Sequence, residues 1–97
     1  MSIRIVIYGK PGDGSAFSAQ AQIRALVNEL RLDASVQIIT DPVQLRMAAI
    51  PDEDTPVVMV DSIVITRGYV PSRGEIQRAI EQRQNQLRKS DAGESEF

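Results

Sequence analysis

The stretch Gly9-Lys10-Pro11-Gly12-Asp13-Gly14-Ser15 gathers residue types that can hold an anion: glycines, a lysine and a hydroxyl, between a strand-like run and a helix-like one. Backbone amides at such a junction can converge on a phosphate. The spacing is not that of a P-loop, because no Lys-Ser or Lys-Thr follows a second glycine at the required distance. Asp13 also sets a carboxylate where the phosphate would lie. A turn is the expectation here. Asp52-Glu53-Asp54 offers carboxylates for a hard cation or an acid pair. Consecutive side chains point in different directions, however, and calcium wants roughly six oxygens around one point. A solvated acidic loop is expected, with no metal.

The missing types exclude more. The 97 residues include no cysteine and no histidine. Without cysteine the chain carries no disulfide, thiolate nucleophile, thiolate–metal site or iron–sulfur cluster. Without histidine it lacks the commonest general acid–base and the commonest transition-metal ligand. No catalytic residue and no cofactor is assigned. Eleven basic against thirteen acidic residues leave a net charge of −2, which is no electrostatic footprint for nucleic acid. With no Trp, two Phe and two Tyr, a base-stacking platform is not expected either.

Apolar residues at 42% and charged residues at 25% give the balance of an ordinary globular chain, and the length suits one domain. Uninterrupted apolar runs such as Pro56–Val60 are far too short to span a bilayer, so no membrane role is expected. Met1-Ser2-Ile3-Arg4 lacks the apolar core of a signal peptide, and a cytoplasmic location is the expectation.

The elements that must position these residues follow from periodicity. Ser2 to Tyr8 reads as a buried strand, with Ile3, Ile5 and Ile7 on one face and Val6 and Tyr8 on the other. A helix follows, capped by Asp13 or Ser15, with Ala19, Ile23, Leu26, Val27 and Leu30 on its apolar stripe. Ser35 to Ile39 is a second strand. Asp41-Pro42 starts a short helix by a capping carboxylate and a first-position proline, and Pro51 is expected to stop it after Ile50. Val57–Val60 and Ile63–Thr66 read as a hairpin turned at Asp61-Ser62. Ser72-Arg73-Gly74-Glu75 has capping-box spacing and opens a helix with Ile76, Ala79, Ile80 and Leu87 inward. Arg73, Arg78, Arg83 and Arg88 spiral round it as solvated surface, with Arg78 expected to pair with Glu75 and Glu81. A domain over residues 1–89 and a polar, flexible tail over 90–97 are expected.

This order, β-α-β-α-β-β-α, asks for a four-stranded mixed α/β sheet with helices on both faces. Ile3 to Gly9, Asp33-Ala34-Ser35-Val36, Thr55-Pro56 and Arg67-Gly68-Tyr69-Val70-Pro71-Ser72 stand at matching places over residues 2 to about 85. In these the chain resembles the small thioredoxin/glutaredoxin-like proteins of bacteria and archaea. The resemblance implies a thioredoxin-like fold, a cis peptide bond before Pro56, and a floor at Thr55 and Pro56 on which an extended substrate segment lies.

The active site departs from the family. Where relatives carry Cys-x-x-Cys, this chain has Gly12-Asp13-Gly14-Ser15-Ala16-Phe17-Ser18. Gap-free counting puts the first thiol position at Asp13 or Gly12, depending on the end counted from. A compensating insertion and deletion puts it at Ser15, with Ser18 as its partner. A hydroxyl is too weak an acid to replace a thiolate and forms no exchangeable cross-link, so dithiol exchange within these residues is excluded.

The function expected is therefore a redox-inactive thioredoxin-like adaptor or assembly module. It would recognise an extended segment of another protein through Asp13, Ser15, Phe17, Ser18, Asp54, Thr55 and Pro56, with Phe17 an anchor only if it points outward, since a single aromatic is more often core. Asp13 and the 52–54 cluster would form an acidic rim suited to a basic or amide-rich segment. The alternatives are a thiol- or glutathione-binding glutaredoxin-like enzyme using Ser15 as a hydrogen-bond donor, and an engineered Cys-to-Ser form of a thiol–disulfide oxidoreductase. A fold-switching relative of the clock-protein kind is disfavoured by the capping box and the hairpin.

Overall fold

Alternation along Ile3–Tyr8 (β1) buries Ile3, Ile5 and Ile7 completely or nearly so, while Val6 and Tyr8 turn half-buried to the opposite face. The computed structural model describes residues 2–12 and 14–95, with side chains described through residue 88. β1 lies inside a four-stranded sheet with Ala34–Ile39 (β2), Val57–Val60 (β3) and Ile63–Arg67 (β4), in the order β2-β1-β3-β4. β2 runs parallel to β1, and the other two pairings are antiparallel. The helices are Gly14–Glu29 (α1), Pro42–Met47 (α2) and Arg73–Ser95 (α3), with one 3-10 turn over Asp52–Asp54.

Two apolar layers hold the sheet. On one face α1 and α3 supply Ala16, Ala19, Ile23, Leu26, Val27, Ile76 and Ile80 against Ile3, Ile5, Ile7, Val58 and Val60. On the other, Leu45 of α2 and Ile50 pack with Val57, Tyr8 and Met59. Element order, strand order and helices on both faces together make this a thioredoxin-like α/β fold.

The helix starts follow local chemistry. The Asp41 carboxylate accepts the Val43 N–H at 3.0 Å, with Pro42 at the first helical position. The Ser72 hydroxyl accepts the Glu75 N–H, and the Glu75 carboxylate accepts the Ser72 N–H, both at 3.2 Å, closing the capping box. α1 begins at Gly14, so Ser15 lies inside its first turn and is not its cap. The alternative cap, Asp13, lies outside the described residues.

Two helix ends differ from expectation for one physical reason. In α1 the Leu32 N–H reaches the Val27 carbonyl at 3.0 Å and the Arg31 N–H reaches that of Asn28. In α2 the Ile50 N–H reaches Leu45 at 2.9 Å and the Ala49 N–H reaches Arg46. These are paired Schellman bonds, closed by Arg31 and Ala49 in the left-handed region at φ 52° and 58°. α2 therefore ends at Met47 rather than Ile50. The turn after Glu29 leaves Leu30 40% exposed and seats Leu32 against the core in its place. Because a left-handed Ala carries a Cβ clash that glycine lacks, Ala49→Gly is expected to raise stability by roughly 0.5–1 kcal/mol. Urea denaturation should show a higher midpoint at unchanged slope.

The hairpin turn at Asp61-Ser62 has positive φ at both residues, 47° and 70°, the mirror-image turn that matches strand twist. A bulge in β4 interrupts the ladder opposite Val58/Met59 and leaves Thr66 3% exposed against the main core. Its Oγ1 is buried and has no hydrogen-bond partner among the described residues. Thr66→Val keeps the shape and removes an unsatisfied hydroxyl, and is expected to stabilise by about 1 kcal/mol in thermal melts. α3 runs to Ser95 and takes up most of the segment expected as a tail from residue 90. No helix among the described residues is long and apolar enough to cross a membrane.

Candidate partner-binding site

The sheet register gathers the candidate residues at one end. Ile39, Tyr8, Val57 and Arg67 form a single row across the four strands. Beyond Tyr8 the chain passes through Gly9, whose N–H is held by the Ile39 carbonyl at 3.0 Å, and on to the start of α1. Before Val57 come Thr55 and Pro56, and after Arg67 comes Gly68. The α1 start and the Thr55–Pro56 segment thus share the end of the sheet where β1 finishes and β3 begins.

Over the first five residues of α1, Ser15, Phe17 and Ser18 are exposed and Ala16 is fully buried. Phe17 is 51% exposed. Stepping back from Ile23 by helical spacing gives Ala19 and Ala16, so the inward place on this turn belongs to the alanine and the ring is turned outward. Asp13, also assigned to this contact, lies outside the described residues.

Around Pro56 the geometry is tight. The Thr55–Pro56 peptide bond is cis, Pro56 is buried, and its carbonyl accepts the Gly68 N–H at 2.9 Å. Thr55 is turned back on the 3-10 turn before it. Its Oγ1 donates to the Asp52 carbonyl at 2.6 Å and its N–H to the same oxygen at 3.2 Å. The Thr55 N–H is thereby occupied, and its carbonyl accepts no hydrogen bond among the described residues. A segment pairing here meets an acceptor, not a donor–acceptor pair.

The acidic rim differs from expectation. Asp54 is ion-paired with Arg67 at 2.9 Å across the start of β3 and the end of β4. Arg67 neutralises one of the three acids, and Asp52 and Glu53 project from a solvated 3-10 turn. No cluster among the described residues could hold a metal ion.

Two arginines read as solvated surface instead join elements. Arg73 meets Glu29 of α1 at 2.7 Å, holding that carboxyl below its usual pKa, although both groups are open to water and salt. Arg83 meets Asp61 of the hairpin turn at 2.8 Å, at the opposite end of the sheet from Thr55. Arg78 donates to the Gly74 carbonyl at 3.3 Å, and Glu81 is taken by Gln77. Nothing local in the sequence announces the Arg73 and Arg83 pairs. Glu75, held below the usual carboxylate range by the Ser72 N–H and the Tyr69 hydroxyl, anchors the turn after Gly68.

No family model matches the sequence, and no curated protein matches it. Among solved structures, a Staphylococcus aureus protein of unknown function is similar with a TM-score of 0.62 at 14% identity, over 84% of this chain and 91% of that one. Glutaredoxin 1 from Francisella tularensis, solved with cacodylate, is matched over 86% of this chain and 98% of its own at 16% identity and a TM-score of 0.41. At such identity the first likeness speaks to fold alone, and the second superposition is too loose to carry an argument.

Proposed function

We propose that this chain is a thioredoxin-like binding module without thiol chemistry of its own, which receives an extended segment of another protein at the α1 start and Thr55–Pro56. The observation that carries this reading is Phe17, a half-exposed ring on the first turn of α1. That is the place where redox-active relatives keep their thiols, in a chain that has none. An exposed aromatic is the side chain best suited to anchor a partner. The open Thr55 carbonyl supplies a main-chain acceptor, and Ser15 and Ser18 beside Phe17 supply exchangeable polar contacts. Asp13 and Asp54 complete the contact in this reading, with Asp54 acting through Oδ1, since Oδ2 is held by Arg67. The partner is one met in the cytoplasm.

A library of extended peptides, screened by fluorescence polarisation, tests this reading. Phe17→Ala is expected to weaken the best binder by roughly 10–100-fold, the loss usual for an aromatic anchor. The library yielding no binder, or a binder indifferent to Phe17→Ala, would contradict it. Calorimetric binding of glutathione that disappears in Ser15→Ala would instead favour a glutaredoxin-like thiol site.

A further inference from the structure

We propose that β4 is a pairing edge at which two copies of this chain join antiparallel, β4 to β4, into one continuous sheet. β4 is the last strand in the order β2-β1-β3-β4, so its outer main-chain groups have no sheet partner among the described residues. Val60 and Ile63 close the two-residue turn, and Met59 and Val64 form the next pair. Hydrogen-bonded and non-bonded pairs alternate along an antiparallel ladder, so the Val64 N–H and carbonyl face away from β3. A two-fold axis through Val64 then pairs each copy's N–H with the other's carbonyl.

The side chains fit that axis. Isolated edges are usually guarded by lysine, proline, a bulge or inward charge. β4 has a bulge after Val64 and Arg67 at its far end, but Ile63-Val64-Ile65-Thr66 itself carries no charge and no proline, and Ile63 and Val64 are 50% and 42% exposed. About a two-fold at Val64 the two valines meet on one face, and Ile63 of each copy meets Ile65 of the other on the opposite face. The opposite edge is unlike it, because β2 exposes Ser35 and Gln37 and half-buries its apolar residues.

A second copy is the occupant that the charges favour. The groove beside β4, about 360 Å³, is lined by Ile63, Val64 and Ile65 and, from α3, by Glu75, Arg78 and Gln82. Glu75 and Arg78 leave the stripe without net charge, so a second copy of it meets no like-charge repulsion, whereas a partner segment of single charge leaves one of them opposed. The bulge in β4 follows Val64 and leaves the pairing residue itself in the regular part of the ladder.

Sedimentation equilibrium across the micromolar range tests this, with thermal melts of each variant to confirm folding. The wild-type mass is expected to rise towards twice the monomer value on concentration. Val64→Lys, which sets two ammonium groups side by side in the seam, is expected to weaken association by roughly tenfold or more at unchanged melting temperature. Met47→Lys, on the exposed α2 surface, is expected to leave association unaltered, and exchange of the Val64 amide to slow as concentration rises. A wild-type chain that stays monomeric throughout overturns the proposal. So does doubling that persists in Val64→Lys, or doubling that Met47→Lys abolishes.

Discussion

Asp61→Ala is expected to lower folding stability by about 2–4 kcal/mol, which for a domain of this size is a fall of roughly 10–20 °C in melting temperature. The Asp61 side chain, only 16% exposed, accepts the Arg4 N–H at 2.8 Å through one oxygen and the Arg83 Nε at 2.8 Å through the other. Its own N–H donates to the Arg4 carbonyl at 2.8 Å, so a single residue ties the hairpin turn to β1 and to α3. Truncation leaves a donor and a part-buried guanidinium without their acceptor. It also puts alanine at φ 47°, where aspartate is better tolerated.

The same site gives a pH dependence. Burial of Asp61 works against ionisation, but the Arg4 N–H and the Arg83 guanidinium outweigh it and hold the pKa below the ordinary 3.8. A depressed folded-state pKa stabilises the protein above the unfolded value, and that stabilisation is lost as pH falls through the folded one. Asp61→Asn keeps an acceptor for Arg4 and loses the charge facing Arg83. Its deficit against wild type should be constant at neutral pH and shrink below pH 3.8, as the wild-type carboxyl itself becomes neutral. Urea titrations at neutral and acid pH measure it.

The second large effect separates two leucines that sequence periodicity treats alike. Leu26 is 1% exposed between α1 and the sheet, whereas Leu30 is 40% exposed beyond the last turn. Leu26→Ala is expected to cost about 2–5 kcal/mol through lost transfer energy and the cavity left behind. Leu30→Ala is expected to cost under about 1 kcal/mol. Equal costs would mean that α1 continues past Glu29 and that the left-handed turn at Arg31 does not form.

That contrast also shows which parts of the molecule are legible in the sequence. Asp41-Pro42 and Ser72-Arg73-Gly74-Glu75 are readable because a cap is a local bargain between neighbouring groups, and both caps form as expected. Strand alternation reads well because Ile3, Ile5 and Ile7 repeat with the pleat. The ends of α1 and α2 read poorly, since the left-handed positions are filled by Arg31 and Ala49 and no glycine marks them.

At the candidate site, sequence order was enough to bring Thr55, Pro56 and the α1 start to one end of the sheet. Sequence alone could not foresee that Arg67 would neutralise Asp54, or that Thr55 would spend its N–H on Asp52. Those contacts depend on strand register and on a single 3-10 turn, which no local pattern encodes. The outward ring of Phe17 was readable in principle, from the helical step that assigns the inward place to Ala16.

Amide chemical-shift mapping of the tightest-binding peptide on the labelled chain tests the binding proposal most directly. The account predicts perturbations concentrated at Ser15, Phe17, Ser18, Thr55 and Gly68, with the amides around Arg4 and Asp61 undisturbed. Shifts confined to the Asp61 end of the sheet, or to α2, would contradict it.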